Sequence, residues 1–302
     1  MKATVVPPIA APAALERTSW LTVLLDLTKF RLTALVLLTA LVGFYLGTEG
    51  PLDYWLMLHA MLGTALVASG ASALNQYLEK EHDALMRRTR NRPLPSGRLQ
   101  PEAALVFGGL TAGVGIVYLA LSVNLLTSAL AAATFVSYVG IYTPLKRLTT
   151  LNTVVGAIPG ALPPLMGWTA ACGQITIEGW SLFAILFFWQ LPHFLAISWL
   201  YREEYARAGF AMLSVYDPAG HRTGRQAVCH TLGLLPVSLC PFLFHVTGIG
   251  YLIGAVMLGG IFLGYAVQFS RRLTPALARK LFYVSILYLP VLFGLMVLDK
   301  VR

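Results

Sequence analysis

Asn75, Glu79 and Asp83 stand four residues apart, at the end of a long apolar run, in the stretch NQYLEKEHDALMRRTRNRPLPSGRL. On an α-helix each step of four returns close to the same azimuth, so the amide and the two carboxylates form one stripe. An oxygen-only stripe of this kind suits a hard cation such as Mg2+. Acids near a helix C-terminus oppose the helix dipole and are mildly unfavourable there without a cation. Arg87, Arg88, Arg90 and Arg92 follow directly. A guanidinium presents a planar fork to phosphate oxygens. Carboxylates for a metal and arginines for phosphate together describe a magnesium-bridged diphosphate. On physics alone, a helix end carrying mixed, solvated charge accounts for the same residues.

Two further segments carry matching chemistry. YTPLKRLTTLN, Tyr142 to Asn152, holds Lys146 and Arg147. LYREEYARAGFAML, Leu200 to Leu213, opens with Arg202, Glu203 and Glu204, a second acid–base cluster at the end of an apolar run. Two such clusters on different helices would flank two metal ions bridging to one diphosphate. His193, in QLPHF, lies within an apolar run. A histidine there is either functional or satisfied by an interhelical hydrogen bond. Pro192 before it frees a backbone carbonyl and favours a distorted, cavity-lining helix. His230 is a weaker candidate of the same kind. Trp189 and Tyr142 either line a cavity or serve as packing and interface anchors.

The elements that must position these residues are apolar. Of the 302 residues, 57% are hydrophobic and 12% charged, against about 25% charged in a soluble domain. Apolar runs of about 20 residues, the length of a membrane-spanning helix, recur along the chain. A closed barrel would read as short alternating segments instead. The expected fold is an all-α integral membrane protein, a single bundle of nine transmembrane helices. The spans read as 32–47, 55–78, 103–121, 125–142, 152–170, 180–200, 228–245, 251–269 and 282–298, with Phe30 and Leu24 as candidates to extend the first. Residues 1–30 read as a tail lacking a signal-peptide pattern, and 31–302 as one domain.

Basic residues favour cytoplasmic loops. With nine spans, all of the 22 Lys and Arg fall on one side except Lys300 and Arg302. The N-terminus is therefore expected in the cytoplasm and the C-terminus outside. The net charge of +9 is then a topology signal, and nucleic acid is not an expected partner. Cys172, Cys229 and Cys240 show no metal or redox spacing and read as small buried hydrophobes.

These residues carry a resemblance to the intramembrane aromatic prenyltransferase family, and within it to members that modify heme. The family's first aspartate-rich motif, Asn-x-x-x-Asp-x-x-x-Asp, matches Asn75, Glu79 and Asp83, with Glu for the first Asp. MRRTRNRPLPSGRL, YTPLKR, LNTVVGAIPGALPPLMGW, FWQLPHF and EEYARAGFAML are similar to the heme-modifying members. The second cluster departs from the broader family: Arg207 and Ala208 lie where an acid often follows, and Ala211 and Ser214 stand where prolines are expected.

The resemblance implies transfer of a farnesyl group from farnesyl diphosphate to a vinyl group of heme B, with addition of water, giving heme O and diphosphate. It implies Asn75, Glu79, Asp83 and Glu204 as catalytic residues, with Mg2+ held by these and Glu203. Arg87, Arg88, Arg90, Arg92, Lys146, Arg147 and Arg202 would take the diphosphate, and His193, His230 and Trp189 the heme. The setting implied is a bacterial plasma membrane, with the site toward the cytoplasm and a heme A synthase or terminal oxidase as assembly partner. Two alternatives share parts of this pattern. One is a Mg2+-dependent prenyltransferase acting on a quinone precursor or phenol. The other is a heme carrier or transporter, although transporters gather polar groups near the midplane and here they gather at one face.

Overall fold

A computed structural model describes residues 19–301. Lys2, Arg17 and Arg302, counted above for topology, lie outside the described residues. The chain forms α1 (Trp20–Leu27), α2 (Phe30–Gly47), α3 (Tyr54–Ala84), α4 (Pro101–Ser122), α5 (Leu125–Phe135), α6 (Thr143–Leu145), α7 (Asn152–Cys172), α8 (Ile177–Leu200), α9 (Arg202–Arg207), α10 (Leu213–Tyr216), α11 (His221–Leu243), α12 (Ile249–Arg272) and α13 (Pro275–Leu298). A π-helical stretch, Val136–Tyr142, joins α5 to α6 as one continuous span. Among the described residues nine helices are long and apolar enough to cross a membrane.

Spans expected from hydropathy end where charge begins, but the helices run on. α3 reaches Ala84 rather than Leu78, α11 starts at His221 rather than Val228, and α13 at Pro275 rather than Phe282. Backbone hydrogen bonding does not stop at the membrane face. At 31 residues α3 is about 46 Å long, against about 30 Å of hydrocarbon, so its last turns rise beyond the apolar layer. Leu24 belongs to the separate helix α1, which turns off at Lys29, a non-glycine residue with φ of +48°.

The helices pack as α2 on α7, α3 on α4, α7 on α8, α8 on α11 and α13, and α12 on α11 and α13. Small residues set the closest contact. A Cβ on Gly167 of α7 would stand 1.8 Å from the Ala40 carbonyl oxygen of α2. Backbones approach this way in membranes because close packing, not water exclusion, holds the helices together. Pro159, Pro163 and Pro164 lie inside α7, tolerated because neighbouring helices re-satisfy freed backbone groups. The main apolar core joins α7, α8 and α11–α13 around Leu165's neighbours Ala161 and Trp168, with Ile185, Phe262, Phe269 and Tyr288. Cys229 is exposed and Cys172 and Cys240 half-buried, contrary to the expectation of burial. An outward face of such a bundle meets lipid, so a small apolar side chain there need not be covered by protein.

The two ends differ. One carries the charged connections. At the other, Lys300 Nζ donates to the carbonyl oxygens of Tyr45 and Thr48, both at 2.7 Å, tying the chain's end to α2. Asp299 Oδ2 there accepts from the Tyr251 N–H at 2.6 Å and caps α12.

Candidate functional site

At the charged end, the continuous helix α3 aligns Asn75, Glu79 and Asp83 on one face, with 1%, 3% and 2% exposure. Each is met by a cation from a different segment. Lys29 Nζ donates to Asn75 Oδ1 at 2.7 Å, Lys146 Nζ to Glu79 Oε1 at 2.7 Å, and Arg92 Nη1 to Asp83 Oδ2 at 2.6 Å. Asn75 Nδ2 donates to Thr143 Oγ1 at 3.1 Å, which fixes the amide with its oxygen toward Lys29. The other carboxylate oxygens, Glu79 Oε2 and Asp83 Oδ1, have no hydrogen-bond partner among the described residues.

Local structure explains each approach. Gln76, beside Asn75, donates its amide to the carbonyls of Asp26 and Leu27 at 3.0 and 2.7 Å, clamping the end of α1 onto α3. The chain then reverses at Lys29, whose amine is directed inward. After α3, Thr89 Oγ1 donates to the Asp83 carbonyl at 2.8 Å, folding the loop back so that Arg92 returns to the stripe. The π-helical turn shifts the register before Thr143 and Lys146; such turns often sit at functional sites.

The two lysines sit in opposite electrostatic conditions. Burial, then the charge of Arg92, pulls Lys29 down to about 7. Burial also works against the charge on Lys146, but the Glu79 carboxylate outweighs it and holds that amine above its usual range.

The remaining basic residues divide. Arg147 is spent on the end of α3, donating to the Leu78 carbonyl at 2.6 Å. Arg88 reaches the Tyr205 hydroxyl at 3.4 Å and lies over the Tyr201 ring. Arg90 is exposed. Arg87 and Arg202 line a cleft of about 340 Å³ with Glu203, Glu204 and Arg207. Its Glu204 Oε2 accepts from the Arg87 N–H at 3.1 Å, and the Arg202 guanidinium stacks 4.5 Å from the Trp199 ring centre. The stripe does not line this cleft. Among the described residues no three His, Cys, Asp or Glu side chains gather as a metal-holding group. Glu203 and Glu204 stand apart from Glu79 and Asp83, on the short helix α9 that follows α8, as a separate cluster at the same end of the bundle.

The α9–α10 segment still touches the first site through its backbone. The Ala211 N–H donates to the Lys146 carbonyl at 2.6 Å, and Asn152 Nδ2 donates to the Ala211 carbonyl at 2.7 Å. His193 and Trp189 lie one turn apart on α8 and both bond to Ser285 of α13. His230 is half-buried on α11, its ring 6.4 Å from that of Phe188.

Lys29 and Thr143 are the site residues that sequence reasoning missed. Lys29 counted only as a topology charge. Its available signal was a basic pair, Lys29 and Arg31, between two apolar stretches, LLDLTKFRLTAL.

Comparison with known proteins places the fold and the family. Residues 36–289 match the model of the UbiA prenyltransferase family. A protoheme IX farnesyltransferase of Solibacter usitatus (strain Ellin6076) is 47% identical over 285 residues, covering 91% of this chain and 98% of that protein. The protein of the same name from Myxococcus xanthus (strain DK1622) is 48% identical over 280 residues, covering 92% and 94%. A solved digeranylgeranylglyceryl phosphate synthase superposes with a TM-score of 0.79 at 16% identity, over 92% of this chain and 98% of that one. A UbiA homolog from Archaeoglobus fulgidus, solved with DMAPP and Mg2+, gives a TM-score of 0.63 at 15% identity, over 90% and 98%. At such identities the structural likeness speaks for the fold. The chain belongs to the UbiA prenyltransferase family.

Proposed function

We infer that this chain is a heme O synthase. It transfers the farnesyl group of farnesyl diphosphate to a vinyl group of heme B, with addition of water, and releases diphosphate. The observation that carries this is the 47% identity to a protoheme IX farnesyltransferase across nearly the whole of both chains.

Asn75, Glu79 and Asp83 fit Mg2+. They offer oxygen donors only, they are buried together, and one oxygen of each carboxylate remains unengaged. Mg2+ usually binds through one or two carboxylates plus substrate phosphates. When bound, it neutralises the charge that grows on the diphosphate as the allylic C–O bond breaks. Lys29, Arg92 and Lys146 already surround the stripe, and they turn from its oxygens to those of the diphosphate. They aim positive charge where negative charge develops. The farnesyl chain lies between the helices. The electron pair of the C–O bond leaves with diphosphate, and the π pair of the vinyl group forms the new C–C bond. Water then supplies its oxygen to the carbon left electron-poor, losing one proton.

The charged end faces the cytoplasm of a bacterial cell in this reading, because it gathers the basic loops. A heme A synthase or a terminal oxidase is the partner that takes the product. The test is turnover by purified protein in lipid, with heme B and farnesyl diphosphate, with and without Mg2+. A metal-dependent gain of one farnesyl and one water in the porphyrin mass is expected. No gain on heme, with diphosphate released when a phenol is supplied, would overturn the heme assignment.

A further inference from the structure

Ser285 receives two side chains from α8. The Trp189 indole N–H donates to its carbonyl oxygen at 2.7 Å, and His193 Nδ1 lies 2.7 Å from its hydroxyl. A serine hydroxyl has one proton to give. Here it goes elsewhere: Ser285 Oγ donates to the Phe282 carbonyl at 2.6 Å. Were that proton turned toward His193, two oxygens would face each other at 2.6 Å with no hydrogen between them. His193 therefore carries its proton on Nδ1 and its lone pair on Nε2. The partner of one ring nitrogen sets the role of the other.

The ring plane is fixed as well. Trp189 stacks on it at 5.1 Å and 22°, and Phe282 at 5.0 Å and 29°. Ser285 itself is fully buried. Nε2 has no hydrogen-bond partner, yet it is not among the polar atoms sealed without one. A histidine that merely packs would spend both nitrogens or bury the idle one. This one has its tautomer and plane set and its lone pair open. That is how a metal-ligating imidazole is held, with its far N–H anchored by a second residue.

We propose that His193 Nε2 is an axial ligand to the iron of the heme acceptor, and that Ser285 and Trp189 are positioning residues that aim it. This rests on the reading of the chain as a heme-modifying prenyltransferase. The heme then lies on the Nε2 side of the ring, away from Ser285.

The test loads purified protein in lipid with ferric heme B, without farnesyl diphosphate, and records absorption and electron paramagnetic resonance spectra. The wild type is expected to give a histidine-ligated spectrum. His193→Gly should lose it, and added imidazole should restore it. Ser285→Ala should weaken heme binding about 10- to 100-fold, the usual effect of removing such an anchor. Ser238→Ala removes a comparable buried hydroxyl, bonded to the Tyr288 hydroxyl at 2.8 Å, and should leave the spectrum unchanged. An unaltered spectrum in His193→Gly overturns the proposal, as does a Ser285→Ala effect no larger than that of Ser238→Ala. A wild type that neither binds nor farnesylates heme overturns the underlying reading instead.

Discussion

Two acidic clusters sit at the charged end, and they share a sequence pattern: acids at the end of a span with arginines close by. Their structures differ. Glu79 and Asp83 are 3% and 2% exposed, while Glu203 is exposed and Glu204 half-buried. The elements differ: α3 runs unbroken to Ala84 and carries Glu79 and Asp83 on one buried face, whereas α8 ends at Leu200 and Glu203 and Glu204 lie on the short helix α9. A buried carboxylate left unpaired costs several kcal/mol, so burial obliges a partner. The stripe has its cations within 2.7 Å, whereas neither Glu203 nor Glu204 forms an ion pair among the described residues. Burial has thus assembled, as a condition of folding, the cations that a diphosphate would need.

The first way to break this contrast is at Asp83. Asp83→Ala is expected to lower turnover at least 10²- to 10³-fold, the scale of losing a main electrostatic contact to the reacting group. The protein should remain folded and inserted, because Arg92 is part-exposed and can turn to water. Turnover by porphyrin mass, with elution from a sizing column in detergent, checks both halves.

Lys146 sharpens the contrast by separating folding from chemistry. Lys146→Met leaves Glu79 buried without its cation, and breaking a buried pair this way costs about 3 kcal/mol. A thermal scan in detergent should show that loss, with turnover down about 10²-fold. The double variant Lys146→Met, Glu79→Gln should recover most of the stability and none of the turnover. Recovery of both would mean that the pair serves the fold alone.

The fold was legible in the sequence because membrane helices must satisfy their own backbone, so apolar length alone marks them. Span ends were less so: hydropathy changes at Leu78, but the hydrogen bonds of α3 run to Ala84. The stripe was legible because it lies within one helix. Its cations were only half legible. Arg92 is nine residues from Asp83, yet Lys146 is 67 residues from Glu79 and Lys29 is 46 from Asn75. No local spacing encodes contacts at such separations. Nor does composition tell Arg87, in the cleft, from Arg92, on the stripe. The π-helical turn before Lys146 carries no signature in VSYVGIY that hydropathy can see.

Lys29 should show a smaller effect than Lys146, because its present partner is a neutral amide rather than a carboxylate. Lys29→Met deprives no buried anion of its direct partner. It is expected to raise the KM for farnesyl diphosphate about 10-fold, the worth of one charge-assisted hydrogen bond. The KM for heme should stay unchanged. A shift in the heme KM of equal size would place Lys29 outside the diphosphate site.

The smallest effects belong to the exposed cluster. Glu203→Gln removes a charge already in water and with no ion-pair partner, so turnover should stay within about 2-fold of wild type, as for most surface substitutions. Glu204→Gln keeps an oxygen able to accept from the Arg87 N–H, so the link between the two loops survives and the loss should be only several-fold. These two variants weigh the contrast most directly. If Glu204→Gln falls as far as Asp83→Ala, the exposed cluster must close onto the stripe when diphosphate binds. The two acidic sites would then differ only in the resting state, and the inward face of α3 would be half of a site that substrate completes.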